Sequence, residues 1–454
     1  MYSVIIPVGL LFILIMVKKI PYVGGKVPYA LIIAAVVTLI CGHIYNPIDW
    51  AKAWISGLDR LSWVMALALV GSYYGETQGV IGTLDTVVDL FRSLFGKSSR
   101  GMICAVIIAI AVGGEAFGDC NGAAAVIGLL VIPALAGLGM SGEKVAATIA
   151  LGCMMGSILP PISQAVMLST SILNLPQEVV DETINITFIT AGIIMVISML
   201  YAMFFFVKKN EPLPAELIPE DGPLTILRKG FGSLLPLILV VILIILNSIF
   251  GLNVMATILG PVYDVLSNVV VVKGLTNSIV MILIAATLIT FIFKSVRQNS
   301  AEILKNGFRN VIPSLSIQAS AAFFVGAILA GGQIDVILHA MEGLSDHLVK
   351  IGGGTSLVLV GMLTGSQTSA QNVIFTFFGP LLMSMGVSGA HTAIVGSHLA
   401  SAGQMMPPAN FTAMICASLV SSKLEIKVDP IKTMMYLLPI AAMLAFVGFL
   451  FMFI

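Results

Sequence analysis

Oxygen-bearing side chains interrupt this apolar chain at two kinds of place, and each kind occurs twice. The first is the glycine-rich run Gly113-Gly114-Glu115-Ala116-Phe117-Gly118-Asp119-Cys120-Asn121-Gly122. The second is Gly156-Ser157-Ile158-Leu159-Pro160-Pro161-Ile162-Ser163. Proline has no N–H to donate and its ring clashes with the preceding turn, so a Pro pair beside Gly-Ser predicts an unwound point in a helix. Unwound backbone exposes carbonyls, and carbonyls joined by Ser, Thr, Asn and Asp oxygens suit a hard cation such as Na⁺, while helix N-termini favour anionic groups.

On that chemistry, one ion cage is expected from Asp119, Asn121, Gly156, Ser157 and the carbonyl of Pro160, and a second from Ser366, Thr368, Ser369, Gly403, Gln404 and Pro407. A solute between the cages would face Asn121, Ser163, Thr368 and Asn410, with Gln164 and Thr412 beside them. The same Ser, Thr and Asn types also cap helix ends. Acids within a membrane are costly and usually functional; Asp119 fits an ion ligand or a proton carrier, and Glu115 fits the wetted edge of a tip. His398 fits a proton site or a neutral packing histidine. Lys144 and His391 hold equivalent interfacial positions, and the pairs Met154-Met155 and Met405-Met406 read as packing.

The two sets are copies. A shift of 247 residues carries Gly114 onto Gly361, Gly118 onto Gly365, Pro133 onto Pro380 and Gly139 onto Gly386. It also carries Ser141-Gly142 onto Ser388-Gly389, Gly156 onto Gly403, Pro160-Pro161 onto Pro407-Pro408 and Ser171 onto Ser418, with no gap. The chain is an internal duplication.

The elements that must position these residues follow from hydropathy. Of 454 residues 58% are hydrophobic and 10% charged, against about 25% charged in soluble domains; mean hydropathy is +1.06. The chain is expected to be an all-α polytopic membrane protein. Net charge is zero, which offers nothing to nucleic acid. The five cysteines lie in or beside apolar segments without metal-type spacing and read as packing residues. Tyr2–Val17 lacks a basic leader and cleavage site and reads as a first span. A second span, Pro28–Ile44, an interfacial helix over Asn46–Arg60 with Trp50 and Trp54, and a span near Leu61–Tyr74 follow. Thr83–Phe95 has the periodicity of an amphipathic arm.

Met102–Val112 and Ala123–Leu138 are each too short to span comfortably, so a re-entrant hairpin over 101–138 is expected, followed by a broken helix over 144–174, an acidic loop at 177–182 and a span over Asn185–Val207. Residues 208–229 form a proline-rich linker. The second half, 230–454, carries spans at Phe231–Phe250, Ser278–Phe293 and Val311–Ala330 with a basic loop over 294–309, an arm over Ile334–Val349, a hairpin over 355–386 (tip at Gly365–Ser369), a broken helix over 391–420 and a final span. The count is about ten spans and two hairpins. Placing the basic clusters at Lys18/Lys19/Lys26, Lys97/Arg100, Lys208/Lys209/Arg228/Lys229, Lys294/Arg297/Lys305/Arg309 and Lys423/Lys427 on the cytoplasmic side makes hairpin one enter from the cytoplasm and hairpin two from outside. The two repeats are therefore expected to be inverted in topology, the plan of secondary transporters with sites near the midplane. A channel would need a continuous polar pore, and an enzyme a nucleophile–base or metal cluster; neither pattern is present in the sequence. Within transporters, a cation/proton antiporter, or a proton-coupled carrier of a zwitterionic or cationic solute, is the alternative to an anion symporter.

At Gly118–Pro133, Gly139-Met140-Ser141, Gly156–Ser163 and again Gly365–Ser418, the sequence resembles the large membrane subunit of TRAP (tripartite ATP-independent periplasmic) transporters, within the wider ion transporter superfamily. The resemblance implies an elevator-type mechanism, Na⁺ as coupling ion (H⁺ in place of it if the tip acids titrate), organic acids such as C4-dicarboxylates as substrates, and residence in the bacterial inner membrane. It also implies a small four-helix membrane subunit and an extracytoplasmic binding protein as partners, either on separate chains or dispensed with; a homodimer is a further possible assembly. Two features depart from the family pattern: the acids Glu115 and Asp119 at the first tip, and the lack of any Arg in either site stretch, so that no bidentate carboxylate clamp lies within them.

Overall fold

The structure is a computed structural model, and it describes residues 2–17, 19–24, 26–95, 98–117, 120–160, 162–207, 210–211, 219–248, 252–333, 336, 345–407 and 410–454. Among the described residues the regular structure is helical throughout. Asp119, Pro161 and Pro408 lie outside them, as does most of the arm expected at 334–349.

Three helices are individually long and apolar enough to cross a membrane: α9 (Gln177–Phe205), the 223–243 part of α10 (Pro223–Ser248) and α16 (Asp346–Thr364). Counting each of two bent pairs as one span raises this to five. Six shorter apolar helices among the described residues have 10–17 residues.

The long elements correct the expected outline. The interfacial helix and the span after it are one 35-residue helix, α3 (Pro47–Ile81), bent by 43° between Trp63 and Met65. Asn46 caps it by accepting from the Ile48 N–H, and Gly82 ends it in the left-handed region at φ 78°. Its counterpart α15 (Ser300–Ala330) is likewise bent by 43°, and it absorbs much of the expected basic loop. The expected acidic loop is the first turns of α9, where Glu178 complements the positive end of the helix dipole. By contrast α4 (Thr83–Phe95) matches the expected arm residue for residue, with Val87 and Val88 buried and Leu94 exposed.

α3 and α15 cross with backbone against backbone. A methyl added at Gly57 would run into the Ala322 carbonyl, and one added at Gly326 into the Ala53 carbonyl. Ala53 and Gly57 are one turn apart, as are Ala322 and Gly326, so the crossing is a reciprocal small-xxx-small contact. In lipid, such packing replaces the hydrophobic effect as the source of attraction. Trp54 adds a hydrogen bond from Nε1 to the Ala319 carbonyl at 3.0 Å. With α2 (Val27–Cys41), α1 (Tyr2–Met16) and α13 (Ser278–Thr290), this pair forms one packed group.

The duplicated stretches form the other. In the first repeat α5 (Ser99–Phe117) and α6 (Cys120–Ala136) make the hairpin, and α7 (Gly142–Ile158) and α8 (Gln164–Leu173) the broken helix. In the second, α16, α17 (Gln367–Ala370), a π-helical turn (Gln371–Phe375) and α18 (Thr376–Ser384) correspond to the hairpin, and α19 (Gly389–Met405) and α20 (Phe411–Leu424) to the broken helix. The second half of each broken helix packs on the first half of the other: α8 on α19, and α20 on α7.

Candidate functional site

The 247-residue shift holds at the level of single contacts. Each hairpin's first limb meets the first half of its own broken helix through paired glycines. A methyl on Gly114 would lie 3.2 Å from the Cys153 carbonyl, and one on Gly361 would lie 2.9 Å from the Ala400 carbonyl. From the other side, a methyl on Gly156 would strike the Ala111 carbonyl and one on Gly403 the Val358 carbonyl. All four positions and all four carbonyls are related by the same shift. Gly156 and Gly403, expected as ion-cage residues, are thus points where two backbones touch.

The breaks are also built alike. α7 ends at Leu159 (ψ 130°) and α19 at Met406 (ψ 151°), where the chain turns extended. The second halves restart at Ser163 and Asn410, which are equivalent and which serve as N-caps: Ser163 Oγ accepts from the Val166 N–H at 3.3 Å, and Asn410 Oδ1 from the Ala413 N–H at 2.9 Å. Each side chain also reaches back over its break. Ser163 Oγ donates to the Ser157 carbonyl at 3.4 Å, and Asn410 Nδ2 to the Met405 carbonyl at 3.2 Å. One residue therefore staples both ends of each gap. The Ser157 hydroxyl folds back onto the Met154 carbonyl at 2.8 Å.

The repeats meet in a buried polar chain. The Gln367 N–H donates to Gln404 Oε1 at 2.9 Å, and Gln404 Nε2 donates to Cys120 Sγ at 3.1 Å. Cys120 Sγ lies 3.2 Å from Thr412 Oγ1. Ser401 Oγ donates to Gln367 Oε1 at 2.6 Å, and Ser169 Oγ to Gln371 Oε1 at 2.9 Å. This chain joins hairpin one (Cys120), hairpin two (Gln367 and Gln371), both halves of the second broken helix, and α8 of the first. Of the expected residues it contains Gln404 and Thr412. Thr368 lies beside it, its carbonyl taken by Asn372 Nδ2 at 2.9 Å. Ser366 caps α17 by accepting from the Ser369 N–H at 3.2 Å. Gln164 is buried at the first turn of α8. No side-chain position is described for Asn121 or Glu115. Pro160 and Pro407 occupy the turns just after α7 and α19.

The tip of hairpin two also holds polar atoms with nothing to bind. Gln367 Nε2, Ser369 Oγ, Gln371 Nε2 and Asn372 Oδ1 are buried without a hydrogen-bond partner among the described residues. Leaving such an atom unsatisfied costs about 1–3 kcal/mol, and four of them within six residues make this tip a candidate site for a polar ligand or bound water. Their donors and acceptors are mixed: two amide NH₂ groups suit an acceptor-rich solute, and the carbonyl and hydroxyl suit a cation or a donor. The tip continues into a π-helical turn at 371–375, a distortion that recurs at functional sites. Sequence reading passed over Cys120, Ser169, Gln367, Gln371, Asn372 and Ser401. The signal was present, because Gln367/Gln371, Thr368/Asn372 and Ser397/Ser401 are each four residues apart and so share helix faces.

His398 is fully buried within this module. Its Nδ1 faces the Ile394 carbonyl at 3.1 Å, and its Nε2 faces Thr190 Oγ1 at 3.2 Å. Ser397 Oγ also lies 3.2 Å from Nδ1, so both ring nitrogens are engaged, and the ring ties α19 to α9. Lys144 donates to the carbonyls of Phe205 and Phe206 at 2.9 and 3.2 Å and so closes the C-terminal end of α9.

The model of the DctM component of tripartite ATP-independent periplasmic transporters matches residues 8–454. The chain belongs to this family. It is accordingly a multi-pass membrane protein of an ATP-independent transport system. No curated protein matches it. Among solved structures, the YdaH transporter of Alcanivorax borkumensis, described as having an unusual topology, is similar in fold. It aligns with a TM-score of 0.60 at 15% identity over 89% of this chain and 86% of that one. The overall fold is thus shared with a transporter of distant sequence.

Proposed function

We propose that this protein is the transport-catalysing membrane component of an Na⁺-coupled importer for a small organic anion such as a C4-dicarboxylate. The observation that carries the reading is the group of orphaned polar atoms at the hairpin-two tip, adjoining the polar chain where the two repeats meet. In the elevator reading, the hairpins and broken helices travel as a block against the group built on α3 and α15. The glycine contacts support this, since they bind each hairpin to its own broken helix more closely than side chains would permit. Ion ligands are assigned to Asp119, Asn121, Ser157, Ser366, Thr368, Ser369 and Gln404 with the carbonyls of Gly156, Pro160, Gly403 and Pro407. Substrate contacts are assigned to Asn121, Ser163, Gln164, Thr368, Asn410 and Thr412, to which Gln367, Gln371 and Asn372 are added. The protein resides in the inner membrane and works with a small membrane subunit and an extracytoplasmic binding protein.

The test is uptake into proteoliposomes holding the protein, its small subunit and its binding protein. An inward Na⁺ gradient should drive accumulation of at least one labelled C4-dicarboxylate. Na⁺/H⁺ exchange at full rate without solute, and no Na⁺-driven uptake of any carboxylate, would sink the reading in favour of an antiporter. Asp119→Asn sorts the coupling ion: loss of Na⁺ dependence assigns Asp119 to the ion, and unchanged Na⁺ dependence removes it from the ligand set.

A further inference from the structure

A second polar cavity, away from the hairpin tips, lies between the two packed groups. Its volume is about 380 Å³, within the range of small-molecule pockets. One wall is the middle of α3, with Asp59, Arg60, Ser62 and Trp63. A second is the far end of the first broken helix, from Thr170 to Leu175, running on to Gln177. The third comes from the segment between α10 and α13, with Tyr263, Ser267, Lys273, Thr276 and Asn277.

The charges in this cavity do not cancel. Asp59 is fully engaged: Oδ2 pairs with Lys273 Nζ at 2.6 Å, and Oδ1 accepts from the Val271 N–H at 2.9 Å. Among the described lining residues no other acid is present, and Arg60 forms no ion pair with a described residue. Its backbone is anchored, because Ser171 Oγ donates to the Arg60 carbonyl at 2.8 Å and ties α3 to α8. The Val271 N–H bonded to Asp59 belongs to a residue at φ 67° and ψ −43°, a strained conformation for a β-branched side chain. Such strain gathers at binding sites. Two residues before Ser171, on the same short helix, Ser169 donates to Gln371 at the hairpin tip.

We propose that this cavity is a carboxylate-binding vestibule, in which Arg60 supplies the bidentate clamp that the hairpin–break stretches lack. Asn174, Thr276 and Asn277 offer hydrogen bonds to the rest of a small organic acid, and Trp63 and Leu175 an apolar side. Since α8 forms one wall and α3 another, movement of the transport block would take the wall apart and pass the anion on. The vestibule rests on the organic-anion reading for its substrate class, and on its own geometry for its place.

Trp63 is one of three tryptophans and faces the cavity, so a Trp50→Phe/Trp54→Phe background makes it the sole indole reporter. Titration with succinate should give a saturable change in Trp63 emission. Arg60→Gln should weaken it at least tenfold, and Arg60→Lys several-fold, since a lysine keeps the charge but loses the fork. Ser267→Glu, which places a resident carboxylate on the third wall without touching α3, should also weaken it tenfold and guards against misfolding of the Arg60 variants. A response without saturation, an unchanged Kd in Arg60→Gln, or an equal response to inorganic phosphate would overturn the proposal. The two readings fail separately. Na⁺-driven carboxylate uptake with an unchanged KM in Arg60→Gln would remove the vestibule and leave the transporter. A saturable, Arg60-dependent Trp63 signal with no uptake of any carboxylate would do the reverse.

Discussion

Replacing Gln371 by leucine separates a ligand site from a structural amide. Gln371 Nε2 is buried without a hydrogen-bond partner among the described residues, which costs about 1–3 kcal/mol. Leucine removes that atom and nearly conserves volume. The substitution forfeits the hydrogen bond from Ser169 to Gln371 Oε1, worth about 0.5–1.5 kcal/mol. The serine hydroxyl keeps its alternative acceptor, the Ala165 carbonyl at 3.1 Å, and is not itself orphaned. The balance runs from roughly neutral to a gain of about 2 kcal/mol. Transport should fall at least tenfold, because the removed amide is one of the donors offered to the solute. Equilibrium unfolding in a mixed detergent series measures the first quantity, and initial uptake rates the second. If Gln371→Leu destabilises by more than about 1 kcal/mol, or transports at the wild-type rate, then the orphaned atoms are not an empty site and the reasoning from them fails.

Further outcomes follow from the paired contacts. Gly156→Ala and Gly403→Ala should each destabilise by about 1–3 kcal/mol through overpacking, whereas Gly192→Ala, with open space around it, should not; thermal melts of the three compare them, and a large difference between the first two would break the symmetry. Asn410→Ala removes a cap and a staple together and should cost about 1–2 kcal/mol, with Ser163→Ala somewhat less because its two bonds are longer. Lys144→Met should loosen the C-terminal end of α9, read as faster amide exchange at Phe205 and Phe206, with little change in substrate KM.

The breaks were legible in the sequence because proline and glycine act locally, and the copies of Gly156–Ser163 and Gly403–Asn410 fall where their chemistry places them. Arm α4 was legible through its strong periodicity. The continuity of α3 was not. Asp49, Lys52, Asp59 and Arg60 lower its hydropathy, so half of one long helix reads as an interfacial piece, although what holds it straight as far as its bend is contact with α15, a partner about 260 residues away. The same limit hid the meeting of Cys120 with Gln404 and Thr412. Neither distance along the chain nor residue type announces a contact between the tip of one repeat and the break of the other.

The glycine contacts have a bearing on how each repeat holds together. Gly114 against Cys153 and Gly156 against Ala111 lie wholly within the first repeat, and Gly361 against Ala400 and Gly403 against Val358 wholly within the second. A lock closed inside one repeat needs no contact from the other copy, so each unit is held together by its own backbone. One copy of this unit therefore closes its own hairpin onto its own broken helix. On this common frame the two copies carry different polar side chains: Glu115 and Asp119 in one stretch, and Gln367, Thr368, Ser369 and Gln371 in the other.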